Sequence, residues 1–364
     1  MQGAGGEPFW LITQPHVVRA ALLDRRLTVD RAFASAGHSG FRLPPPLDGN
    51  LLGHDGADHA RLRRFAAPAF TARRTRHLRQ RIDAVSRRLL ARLTAQPRAD
   101  LVADYALPLP LTLVTDLLGI PLAEQPALTQ ATRTLLTYTR HEQLADSVNH
   151  VHQLLADLVT RRHHQQHKEE AQHGHDLLSA WLHAPAAHRP VSEDELTALA
   201  FQLWWAGIEN VTHAIAHGAL LLLTHPEQAQ LLRDRPALLP AAVEELLART
   251  TPTTTAAPRY AREDLTLAGT LIRAGETLLL SLTLSPTHHH NTGPLTLTRP
   301  PRPHLAFGHG PHHCLGTTLA RTQLHTALTH LLHQPHLTLA IPQEQLRRRK
   351  TLRLNGLHQL PVTP

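Results

Sequence analysis

The stretch SEDELTALAFQLWWAGIENVTHAIAHGALLLLTH, residues 192–225, constrains this chain more than any other. It opens on Ser192 and Glu195 at capping-box spacing and stops at Pro226. Between them, apolar residues cover nearly every face of a 3.6-residue helix. Such a helix must be surrounded by other elements, so the pattern predicts a buried central helix. Shorter helices gather around it. PHVVRAALLD (15–24) carries proline in its first turn, and DGADHARLRRFAAPAF (55–70) reads as a helix stopped by Pro68. Amphipathic patterns run through 74–95, 105–119, 127–138 and 142–163, and LPAAVEELLART (239–250) ends at Pro252.

Strand signals are brief. FWLITQ near the start reads as one, and DLTLAG, TLIRAG and ETLLLSLTL (264–284) alternate with glycine turns, which predicts short strands and a hairpin. A helix is expected over 315–334, with short strands after it. No repeat appears, and no linker is long enough to separate domains. The expected fold is mainly α with small β-sheets (α+β), a single domain over 1–364.

Composition narrows the class. The chain is 42% apolar and 18% charged, which fits a globular protein with a large core. No apolar run is long enough to span a bilayer, and MQGAGGEPFW lacks the basic and apolar regions of a leader. A cytoplasmic location is the expectation. The formal charge is +8, but the basic residues are scattered, with tighter groups at TARRTR (71–76) and RRRK (347–350). Aromatic residues make up 4%, too few for a base-stacking surface, so nucleic acid is not expected. An acidic protein partner is the sharper reading of the basic groups, a solvated face the plainer one. The histidine-rich tract HHQQHKEEAQHGHD (163–176) has no zinc-site spacing and reads as a polar surface loop.

The only cysteine, Cys314, lies in FGHGPHHCLG (307–316). A lone cysteine is often a small buried hydrophobe. Here a helix is expected directly after it, and a thiolate before a helix N-terminus is stabilised by the dipole and by unpaired N–H groups. Glycines at 308, 310 and 316 would let a flat partner approach the backbone.

This loop resembles the haem-binding loop of the cytochrome P-450 monooxygenases, in which Phe307, Gly308, Gly310, His312, Cys314 and Gly316 all fit the pattern. The resemblance runs from about residue 8 to the end, without the family's usual N-terminal helix and first strand. It implies haem b as cofactor, Cys314 as the axial iron ligand in a loop beneath the haem, and the long central helix above it. It further implies that His312, with His59 and Arg63 in DHARLRR and Arg259 in PRYA, holds the haem propionates. Ala206 and Gly207 would lie against the haem, and Glu209 and Asn210 occupy the acid–alcohol positions of the central helix.

Two positions depart from that pattern. In AGIENV the acid is Glu209, but Asn210 replaces the threonine whose hydroxyl helps deliver protons during oxygen activation. An amide relays protons less readily, so slow or poorly coupled oxygen activation is expected. In AVEELLARTTP the family's Glu-x-x-Arg falls on Glu245 and Ala248, with Arg249 one residue late. A rotation of about 100° per residue argues against Arg249 replacing the missing partner without a π-bulge, and Arg299 is the expected alternative. The segment TLSPTHHHNTG (283–293) also differs from the family's usual Asn-Arg-Asp-Pro region.

The resemblance implies a haem-thiolate monooxygenase acting on a small organic, natural-product-like substrate. Its electrons would come from a ferredoxin or similar acidic protein docking near Arg73, Arg74, Arg76 and Arg321. The alternatives are a haem-poor partner protein of the same fold, favoured by the broken motifs, and a peroxide-driven haem enzyme. Segments 33–53 and 135–150 are the expected substrate-facing regions.

Overall fold

The computed structural model describes residues 8–35, 43–137, 141–166, 176–182, 191–283 and 294–364. In chain order the helices are α1 (Pro15–Leu23), α2 (Pro45–Asp48), α3 (Gly56–Ala66), α4 (Ala72–Thr94), α5 (Pro108–Leu118), α6 (Gln125–Thr137), α7 (His141–Gln166), α8 (Leu177–Leu182), α9 (Glu193–Thr224), α10 (Pro226–Asp234), α11 (Leu239–Thr250) and α12 (Thr317–Leu332). The strands are β1 (Trp10–Ile12), β2 (Leu27–Thr28), β3 (Ala99–Asp100), β4 (Arg259–Ala261), β5 (Leu265–Leu267), β6 (Thr270–Ile272), β7 (Thr277–Leu280), β8 (Thr338–Leu339), β9 (Arg348–Lys350), β10 (Asn355–Leu357) and β11 (Pro361–Thr363). Two compact units emerge. The first comprises 1–40, 75–109 and 210–364; the second comprises 41–74 and 110–209.

Among the described residues of the second unit, the regular elements are all helices. Its part of α9 begins with the expected capping box: Ser192 N–H donates to Glu195 Oε2 (2.9 Å) and Glu195 N–H to Ser192 Oγ (3.2 Å). Spacings of three and four put Phe201, Trp204 and Trp205 side by side, with ring centroids 5.3 Å apart for Phe201–Trp204. Trp204 is fully buried, and its indole donates to Thr132 Oγ1 of α6 at 3.0 Å.

All of the strands among the described residues lie in the first unit. The largest sheet has the order β1-β7-β4-β2, with β1 parallel to β7 and the other pairs antiparallel. The remaining sheets are the β5–β6 hairpin, β9–β10 and β3-β11-β8. Val18, Leu22, Leu278, Leu280 and Leu305 meet in the core between α1 and the four-stranded sheet. Gly218 lets Leu328 of α12 approach α9, since a Cβ there would lie 3.1 Å from its Cδ2. Fully buried Ser86 sits between Tyr105 Oη (2.6 Å) and His330 Nδ1 (2.8 Å), and His330 Nε2 contacts Asp83 (2.9 Å). The Ser86–His330–Asp83 contacts have the pattern of a hydrolytic triad, but a serine without exposed surface cannot meet a substrate; the cluster ties α4 to α12.

Several expectations need correction. The helix expected over 105–119 is interrupted: a π-turn occupies Val102–Ala106, with Leu107 N–H bonded to Val102 O, and α5 starts at Pro108. Proline has no N–H to continue the ladder. The loop expected at 163–176 is helical as far as Gln166, and His163 pairs with Glu193; residues 167–175 lie outside the described residues. Pro226 ends α9 and also starts α10, a helix not anticipated. The expected helix 315–334 is Thr317–Leu332, since Gly316 and His333 cap it. Residues 284–293, 36–42 and 138–140, which hold the altered TLSPTHHHNTG segment and parts of the expected substrate-facing regions, lie outside the described residues. Among the described residues no helix is long and apolar enough to cross a membrane.

Candidate active site

The cysteine loop belongs to the first unit. Gly308 and Gly310 have φ of 71° and 73°, a conformation that side chains with a Cβ rarely adopt. A Cβ on Gly310 would also lie 2.8 Å from Leu23 Cδ2 and 3.1 Å from Leu22 O, so α1 closes against the loop there. Gly308 N–H bonds to Leu305 O, and Cys314 N–H to Phe307 O at 2.9 Å. Gly310–His312 forms a 3-10 turn, and Gly316 is the N-cap of α12. Cys314 is therefore exposed, three residues ahead of the first α12 residue, where the helix dipole favours a thiolate. It is not the buried hydrophobe of the plainer reading.

Two acids on α11 support this loop. Arg249 Nε donates to Glu245 at 2.7 Å, and Arg302 lies 3.2 Å from the other carboxylate oxygen. Both expectations for this motif are thus corrected. Arg249 reaches Glu245 from i+4 in a regular helix, because i+3 and i+4 flank the same face. Arg302 is the second partner, while Arg299 is exposed. The neighbouring Glu244 receives both arms of Arg321, at 2.6 and 2.7 Å, and His304 Nε2 at 3.1 Å. Burial alone would raise the Glu244 carboxyl; the bonds from Arg321 and His304 override it and hold it at about 2. Arg321, expected at a docking surface, is thus engaged in an ion pair with its side chain still 40% exposed. Nothing local in the sequence marks these partners, which lie 60 and 77 residues away.

The other expected residues divide between the units. In the first, Arg259 on β4 is buried and donates to Ala257 O at 2.8 Å, and His312 is half-buried. Asn210 Oδ1 accepts the hydroxyl of Thr253 at 2.6 Å, a partner not anticipated. In the second, His59 is buried and Arg63 half-buried on one face of α3. Glu209 is fully buried and accepts from Trp205 Nε1 at 3.2 Å. Ala206 is exposed on the otherwise largely apolar α9, and a Cβ on Gly207 would lie 3.1 Å from Val114 Cγ2.

The family model for Cytochrome P450 matches residues 111–361. This chain belongs to the cytochrome P450 family. The mycinamicin IV hydroxylase/epoxidase of Micromonospora griseorubida is 39% identical over 367 residues, which cover 98% of this chain and 90% of the relative. The nocardicin C N-oxygenase of Nocardia uniformis subsp. tsuyamanensis is 38% identical, with coverage of 98% and 90%. The solved structure of the ligand-free P450 monooxygenase TamI is similar with a TM-score of 0.85 at 35% identity, covering 99% of this chain and 85% of that one. The mainly helical fold with small sheets is that of a P450, and the chain is a P450 monooxygenase with haem b as cofactor.

The residues of this P450 fit that group. The exposed Cys314 offers the one thiol in the sequence, a soft ligand suited to iron. Beside it, a Cβ at Gly308 would meet nothing nearer than His312 O at 3.7 Å, and one at Gly316 would lie 3.8 Å from Cys314 Sγ. That is a cradle open to a flat macrocycle. Within the first unit the donors of Arg259 and His312 have the chemistry to bind a carboxylate, and within the second so do those of His59 and Arg63.

Proposed function

We propose that this P450 inserts one atom of dioxygen into a small organic natural-product intermediate. The other atom leaves as water, using two protons and two electrons from a ferredoxin-type acidic protein. The observation that carries the reading is the Cys314 loop at the α12 N-terminus. Near-full-length similarity to a hydroxylase/epoxidase and an N-oxygenase of bacterial products supports the substrate class. Residues 1–364 would act as one domain in the cytoplasm.

In this reading Cys314 would ligate the iron, and His59, Arg63, Arg259 and His312 would bind the propionates. Phe307, Gly308 and Gly316 shape the loop beneath, and Ala206 and Gly207 present the surface of α9. A thiolate ligand supplies the electron density that favours O–O cleavage. Glu209 and Asn210 would move and hold protons on α9, with Thr253 orienting the Asn210 amide. The arginines of α4, with Arg73, Arg76, Arg79 and Arg88 exposed, suit an acidic donor.

The first test is the carbon monoxide difference spectrum of the reduced, haem-loaded chain. A strongly red-shifted Soret band is expected, and its loss in Cys314→Ser; only a shorter-wavelength band in the parent would contradict thiolate ligation. Substitution of Arg74 or Arg76 by Glu should slow reduction by ferredoxin in a salt-dependent way. The haem-poor partner reading loses one of its two supports, because Glu245 has two arginine partners; the Asn210 replacement still stands. The peroxide-driven reading retains one: Asn210 holds its acceptor on Thr253. Turnover with peroxide and no reductase would favour it.

A further inference from the structure

Glu244 joins three elements of the first unit. It lies on α11, receives Arg321 from α12 through two parallel bonds, and contacts His304 from the segment leading to the cysteine loop. His304 is oriented in turn: its Nδ1 accepts the Ala306 N–H at 3.2 Å, which leaves Nε2 as the donor to Glu244. The Arg321 guanidinium also lies over the Phe307 ring, 4.5 Å from its centroid. Phe307 O accepts the Cys314 N–H at 2.9 Å. One face of Phe307 thus carries a cation, while its backbone holds the ligand cysteine.

We propose that Glu244 and Arg321 form a counter-charged positioning pair that sets, through Phe307, the potential at which the Cys314-ligated haem takes up its first electron. The inference rests on the haem-thiolate reading above. Bidentate pairing and the aromatic face fix where the Arg321 charge sits, and a long flexible lysine would lack that fixity. Arg321 also interacts electrostatically with Cys314. A cation near the thiolate favours the reduced state, which carries one more negative charge. Glu244 compensates that cation and limits its effect.

The signs are therefore opposite. Arg321→Gln leaves the Glu244 charge alone and lowers the potential; Glu244→Gln leaves the guanidinium uncompensated and raises it. Each changes the ferrous-to-ferric ratio at fixed ambient potential by roughly threefold or more. The double variant returns close to the parent, whereas Arg321→Lys, which keeps the charge without its fixed seat, falls between the parent and Arg321→Gln. A merely structural pair would move both single variants the same way. The test is a dye-mediated redox titration of the holoprotein and variants, with haem content and the carbon monoxide band read on each sample. Opposite shifts establish the pair; shifts of one sign, or none, overturn it. An unchanged potential with slower reduction of Arg321→Gln by ferredoxin would overturn it as well, and make Arg321 a docking residue. If Arg321→Gln does not hold haem, Glu244→Gln and Arg321→Lys decide: a raised potential in the first with a lowered one in the second establishes the pair, and any other outcome overturns it. A parent without the thiolate band overturns this inference together with the proposed function; a parent with it isolates the failure to the pair.

Discussion

Thr253 donates its hydroxyl to Asn210 Oδ1 across 2.6 Å, and so fixes the amide that stands in the acid–alcohol position of α9. The hydroxyl missing from the helix is present one side chain away, but its proton is committed to the amide. Asn210→Thr should therefore raise the fraction of reductant recovered as product by up to about tenfold, below the 10²–10⁴ of a complete acid–base group. Product and peroxide are measured against reductant consumed. Unchanged coupling would mean that the amide is no handicap.

Arg249→Ala should cost about 3 kcal/mol, because Glu245 is then left with only the partly exposed Arg302. Denaturant unfolding and haem occupancy report it. Restoring an arginine one residue earlier, as Ala248→Arg in the Arg249→Ala background, should recover most of the loss, since i+3 reaches the same carboxylate. No recovery would show that the helix face is more restrictive than the geometry suggests.

Gly310→Ala and Gly56→Ala should differ. Both glycines have left-handed φ, 73° and 61°, so each substitution costs about 1–2 kcal/mol of backbone strain. Gly310 adds a 2.8 Å clash with Leu23, whereas a Cβ on Gly56 meets nothing within 4 Å. Gly310→Ala should cost roughly 1–3 kcal/mol more and reduce the thiolate band. Equal losses would mean that α1 yields to the loop.

Acid should destabilise the first unit through two histidines on α9. Burial, reinforced by Arg349, Arg353 and His358, lowers His213 to about 3; burial, reinforced by His213 and Arg348, lowers His217 to about 3. Their folded values lie below the unfolded one, so the unfolded chain takes up protons first. This stability is complete above about pH 6.5 and is lost as pH falls toward 3, at up to about 2.7 kcal/mol per pH unit for the two groups. Burial also lowers His325, His330 and His358, which act in the same direction. Urea midpoints at pH 7 and 5 measure the slope, and His213→Leu should reduce it. An unchanged slope would place the acid sensitivity elsewhere.

What the sequence determined by itself was local. The capping box, the apolar circumference of α9, the β5–β6 hairpin and the cysteine–glycine loop are written in contiguous residues, where backbone preference and helix periodicity act directly. The Glu245–Arg249 pair also lies within one helix, and because i+4 faces the same side as i+3 it was open to the sequence as well. The partners across the chain were decided by tertiary structure alone: Thr253 on Asn210, Arg302 in place of Arg299, and Arg321 paired with Glu244. Charge and hydrogen-bonding capacity show that a residue needs a partner. Which partner it meets depends on how α11, α12 and the connecting segments pack, and that packing minimises the free energy of the whole chain rather than of any short stretch.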